Sequence, residues 1–78
     1  MKYQRRMLHH LIVRALKRNT FTAQEAIQVA LHGETVWLYG SVSHCDLIPE
    51  AVATVESVAP FLNVYSRLRV RRPRAGVV

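Results

Sequence analysis

Three changes of hydrophobic period divide the chain. From about Arg5 to Arg18, residues Leu8, Leu11, Ile12, Ala15 and Leu16 recur on one side of a helical wheel and Arg6, His10, Arg14 and Lys17 on the other. That spacing predicts an amphipathic helix with a basic back. Asn19, Thr20 and Thr22 form a polar break, after which Ile27, Val29 and Leu31 alternate with Gln28, Ala30 and His32 as in a half-buried strand over 26–32. His32-Gly33-Glu34 is read as the turn, because glycine reaches a positive φ without steric penalty and lets the chain reverse into a second strand over 35–43. In that strand Val36, Leu38, Gly40 and Val42 form the inward set, and Trp37, Tyr39 and Ser41 face outward.

Around 43–46 the period becomes helical again. Ile48, Ala51, Val52, Val55, Val58 and Ala59 line one stripe, Asp46 is the expected N-cap, Pro49 fits the first turn where its missing N–H is not needed, and Pro60 stops the helix. From 62 to 71, Leu62, Val64, Leu68 and Val70 alternate with Asn63, Tyr65, Arg67, Arg69 and Arg71, which predicts a last strand. Each period demands one buried face, and no segment is long enough to bury its face alone. The expected fold is therefore α+β, an αββαβ sandwich with two helices on one face of a three-stranded sheet. Residues 1–7 read as a basic lead-in, 8–71 as a single domain and 72–78 as a fraying basic tail with Pro73 and Gly76.

Length sets the scale of the core: a chain of 78 residues makes one small domain. No apolar run approaches the roughly 18–20 residues that cross a bilayer. Arg5 and Arg6 ahead of Leu11, Ile12 and Val13 superficially resemble an export signal, but His9, His10 and Arg14 interrupt the apolar stretch and no small-residue cleavage site follows. The default expectation is a cytoplasmic chain. Cys45 is alone and is expected to fill space as a small hydrophobe.

Charge changes the picture more. The formal balance is +6, with all eleven Lys and Arg at 2–18 or 67–74 and all five acids between Glu25 and Glu56. Cationic ends favour an anionic partner, be it nucleic acid, lipid headgroups or an acidic protein, although solubility also accounts for a basic balance.

The order of elements, with Gly33, Leu38-Tyr39-Gly40-Ser41-Val42, Ala51 and Val64, Leu68-Arg69-Val70 at their spacings, resembles the BON domain, named for bacterial osmotic-shock and nodulation proteins. The likeness covers roughly residues 8–70. A glycine two residues after a leucine, an alanine eleven residues on and a closing Val-x-x-x-Leu-x-Val are met by Gly40, Ala51, Val64, Leu68 and Val70. Where that family usually has Gly-Val before the last strand, this chain has Pro60-Phe61, so the loop there must take another path. The resemblance implies binding of phospholipid or other hydrophobic surfaces, in a periplasmic or membrane-attached setting and often in tandem copies.

Alternation places Trp37, Tyr39 and Tyr65 on one outward surface with Arg67, Arg69 and Arg71. Arginines would draw the domain to an anionic membrane, aided by Arg14 and Lys17, and the aromatic rings suit headgroup depth. The same surface could close against a second copy or a partner protein, or stack single-stranded bases while the arginines neutralise phosphates. Catalysis is not expected: Glu50 and Glu56 have no nucleophile, base or oxyanion loop in view, and the isolated Gly33 and Gly40 make no phosphate loop. No metal or cofactor is expected either, since His9 and His10 are neighbours about 100° apart on a helix rather than one turn apart.

Overall fold

In the computed structural model, which describes residues 4–71, the chain runs α1 (Arg5–Arg18), β1 (Ala26–His32), β2 (Thr35–Val42), α2 (Leu47–Val58) and β3 (Asn63–Val70). α1 takes in Arg5, Arg6 and Met7 of the stretch read as a lead-in; residues 1–3 and the tail 72–78 lie outside the described residues. The sheet has the order β1-β2-β3, with β1 antiparallel and β3 parallel to β2. A hairpin suffices for the first pairing, whereas the parallel pairing requires a crossover, which α2 provides. The expected α+β sandwich, with its helices packed on the sheet, is present.

Two turns set these connections. Gly33 has a φ of +59° and no other turn residue is positive, so Gly33-Glu34 follows the sign pattern of a type II′ hairpin. At the end of α2, Ala59 leaves the helical region ahead of Pro60, and its carbonyl accepts from the Leu62 N–H at 3.1 Å. With Pro60 and Phe61 both at negative φ, this is a type I turn. It is the path the chain takes at Pro60-Phe61.

The core lies between the helices and the inner face of the sheet. Leu8, Ile12 and Leu16 of α1 and Ala51 and Val55 of α2 pack on Leu31, Val36, Leu38, Val42 and Leu68, with Ile27, Val29 and Val64 partly buried around them. Several expectations need correction. Leu11 remains 38% exposed, because it lies beside the groove between the helices rather than over the sheet. Val70, at the end of an edge strand, remains 40% exposed. Gly40 is exposed instead of contributing to the core, and its φ of +110° is one that residues with a side chain rarely adopt. Asp46 stands at the N-cap position of α2 but makes no capping hydrogen bond there. Cys45, expected inside, is exposed in the loop before α2.

The polar break after α1 does structural work that its composition does not announce. The Asn19 amide donates to Glu50 Oε2 and to Thr54 Oγ1 on α2, both at 2.8 Å, while its Oδ1 accepts from the Phe21 N–H. Thr22, only 2% exposed, donates its hydroxyl to the Leu16 carbonyl at 2.6 Å. One amide thus ties the end of α1 to α2, and one hydroxyl satisfies a helix-end carbonyl that would otherwise be buried unpaired.

Candidate functional site

The register of the sheet sets the composition of its outer face. Side chains alternate across a strand, so the rows away from the helices are His32, Thr35 and Asn63; Ala30, Trp37 and Tyr65; Gln28, Tyr39 and Arg67; and Ala26, Ser41 and Arg69. The expected sharing of one surface by aromatics and arginines follows from this register. None of these rows contains an acid. β1 contributes only short or neutral side chains, so the aromatic and cationic groups concentrate over β2 and β3.

Within that surface the side chains organise one another. Trp37 and Tyr65, register partners across the parallel pair, stack with ring centroids 5.0 Å apart and planes 26° from parallel. Arg67 reaches diagonally so that its guanidinium carbon lies 5.4 Å from the Trp37 ring centroid. Offset stacking contributes about 0.5–1.5 kcal/mol beyond area burial, and an exposed cation–π contact about 0.5–1 kcal/mol. These contacts hold Trp37 half-buried with Tyr65 and Tyr39 exposed beside it. The Arg67 guanidinium faces no carboxylate, and Arg69 has no ion-pair partner among the described residues.

Arg71 behaves differently. It lies 3.5 Å from Glu25 Oε1, an oxygen that also accepts from the Ser43 N–H, while Glu25 Oε2 accepts from the Ser43 hydroxyl. The ion pair sits at the end of the sheet and neutralises one of the three arginines expected to face an anion. Arg14 and Lys17 do not join this surface at all. Both project from α1, whose buried side packs on the opposite face of the sheet; Arg14 lines the groove between the helices with Leu11, Arg18 and Val58, and Lys17 flanks the side of β1 near Ile27 and Val29. The basic character of the domain is therefore split between two sides of the molecule.

His9, set aside as a ligand, places Nε2 2.8 Å from the Val29 carbonyl oxygen and so covers part of the β1 edge. The group that could hold a metal, His44, Cys45 and Asp46, was not apparent from spacing. These neighbours in the β2–α2 loop bring one donor atom each to within 4.8 Å of one another. All three are exposed, and the His44 ring is 3.4 Å from the Asp46 carboxylate, the interaction that replaces the expected helix cap. Glu50 is held by Asn19. Glu56 is exposed on the same helix.

No protein-family model matches the chain, and no curated protein matches it.

Proposed function

We propose that this chain is a non-enzymatic binding module that docks the outer face of its sheet on anionic phospholipid membranes. The observation that carries this reading is the sheet face whose paired rows hold no acid, on which Tyr65, Trp37 and Arg67 are stacked beside an Arg69 that has no ion-pair partner among the described residues. Guanidinium groups supply long-range attraction to a negatively charged leaflet, and Trp and Tyr rings settle at headgroup depth. The likeness to the BON domain points to the same class of ligand. Binding would be peripheral, since the apolar stripes of both helices are committed to the core and no helix among the described residues is long and apolar enough to cross a membrane.

Titration with vesicles of phosphatidylcholine and phosphatidylserine tests this, with phosphatidylcholine alone as control. Trp37 is the single tryptophan, so its emission reports directly on the surface. The expected result is a blue shift with the anionic vesicles that fades as salt is raised. Replacing Arg67 and Arg69 together by alanine should weaken binding about 30-fold, taking about 1 kcal/mol for each basic residue near the surface. An emission spectrum unchanged by anionic vesicles, with no co-sedimentation, would refute the proposal. Mass that rises with protein concentration in the absence of lipid would assign the face to self-association instead. Binding of oligothymidylate, with affinity falling by about 0.7 log units per phosphate contact for each tenfold rise in salt, would assign it to single-stranded nucleic acid.

A further inference from the structure

The two edges of the sheet are not equivalent. In the β1–β2 hairpin His32 and Thr35 close a two-residue turn, so Val29 belongs to the non-hydrogen-bonded pairs and its carbonyl points out of the sheet. His9 covers that carbonyl from α1. At β3 the Asn63 N–H bonds to the Glu34 carbonyl and the Arg71 N–H to the Val42 carbonyl, each at 2.8 Å. The odd-numbered residues of β3 therefore turn their backbone groups toward β2, and Val64, Ser66, Leu68 and Val70 turn theirs to the open edge. No side chain of another element covers these groups among the described residues. The one compensation is local, a 3.3 Å contact from the Leu68 N–H to the Ser66 hydroxyl of the same strand.

From this asymmetry we infer that β3 is a docking edge for an extended acidic peptide segment of a partner protein, added as a fourth strand. Main-chain hydrogen bonds to Val64, Ser66, Leu68 and Val70 would supply affinity, and side chains on alternate positions would supply selectivity. On the outer face the incoming strand would lie beside Arg67 and Arg69, which have no carboxylate opposite them among the described residues, so acidic residues are favoured there. On the inner face it would lie beside Val64 and the exposed Val70, so apolar residues are favoured at the intervening positions. A second copy of this chain fits poorly: β3 paired antiparallel with itself sets the arginines at 67 and 69 against one another, and like charges directly opposite are destabilising. The main-chain contacts lie at the edge of the strand, whereas the preference for acidic residues draws on Arg67 and Arg69, the side chains that the membrane reading also uses.

The test uses the full chain, labelled with nitrogen-15, and a short blocked peptide alternating glutamate and valine, with its lysine and valine counterpart as control. The acidic peptide should bind, and amide exchange at Val64, Ser66, Leu68 and Val70 should slow while the odd-numbered β3 amides change little. Ser66→Pro removes an N–H that points away from β2, so it should leave the ladder intact and weaken the acidic peptide about tenfold through the lost hydrogen bond and the ring's bulk. Vesicle binding should survive that substitution, which separates failure of this inference from failure of the membrane reading. As a measurement independent of whether the variant folds, two peptides N-methylated on opposite alternate positions should differ, only the one with its edge-facing amides blocked losing affinity. Equal binding by both methylated peptides, preference for the lysine peptide, or protection spread evenly along β3 would overturn the inference.

Discussion

Gly40 offers the sharpest test of the backbone that carries the aromatic surface, because the same substitution at Gly33 serves as an internal control. At Gly40 the φ of +110° lies where L residues rarely go, and a Cβ built there would collide with the Ala26 carbonyl oxygen and stand 3.1 Å from its carbonyl carbon. The atoms it meets are backbone, so relief requires β1 to move relative to β2. Backbone strain of this kind costs about 1–3 kcal/mol, and displacing the Ile27–Gly40 register position adds to it, giving about 3 kcal/mol or more for Gly40→Ala. At Gly33 the φ is +59° and nothing lies within 4 Å of the added atom. Gly33→Ala should therefore cost only the left-handed penalty, about 1–2 kcal/mol. A domain of this length has roughly 4–12 kcal/mol in total, so the first change removes a large share of stability and the second a small one. With about 4–8 °C per kcal/mol for small domains, melting followed by circular dichroism should fall by about 12 °C or more for Gly40→Ala and by about half that for Gly33→Ala. Equal shifts for the two variants, or a Gly40→Ala protein as stable as the parent, would refute the claim that the close approach of β1 to β2 requires a missing side chain there.

Other outcomes follow from single contacts. Thr22→Val keeps the shape of a buried side chain but strands the Leu16 carbonyl, and should lower the urea-unfolding free energy by about 1–3 kcal/mol; Thr22→Ser should restore most of it, and a valine variant as stable as the parent would contradict this role. Glu25→Gln removes the carboxylate facing Arg71 and can still accept from Ser43, so vesicle affinity should rise about fivefold, at about 1 kcal/mol for the released guanidinium, with little change in stability; unchanged affinity would mean that Arg71 lies outside the contact. Arg5 and Arg6 occupy the first turn of α1 with no acid beside them, against the helix dipole, so Arg5→Glu should raise the melting temperature, with a gain of about 0.3–1 kcal/mol at low salt that shrinks as salt is added.

Periodicity is local, and what it governs was legible in the chain. The helix at 5–18 and the strand at 26–32 have the expected bounds, and the turn at Gly33 follows from one residue's conformational freedom. Strand ends were less legible. β3 starts at Asn63 because Leu62 still closes the proline turn, and β2 stops at Val42 because the Ser43 N–H turns to the Glu25 carboxylate. No spacing rule reports such competition between a side chain and the ladder for one donor. Asn19 and Thr22 read only as polar residues in a break, since their partners on α2 and α1 become visible once the chain has folded back.

Alternation along each strand was enough to turn Trp37, Tyr39, Tyr65, Arg67 and Arg69 away from the helices; a strand's geometry makes that choice whatever lies next to it. Packing between distant segments settled that β3 lies parallel to β2 with Tyr65 against Trp37, that Arg67 covers the indole, and that Arg71 meets Glu25 across 46 positions of sequence. That packing also put Arg14 and Lys17 on the other side and set β1 and β3 at the two edges of the sheet. Strand order and register depend on how the crossover helix and the hairpin pack around a shared core, an interaction among distant segments that no single stretch of the chain encodes.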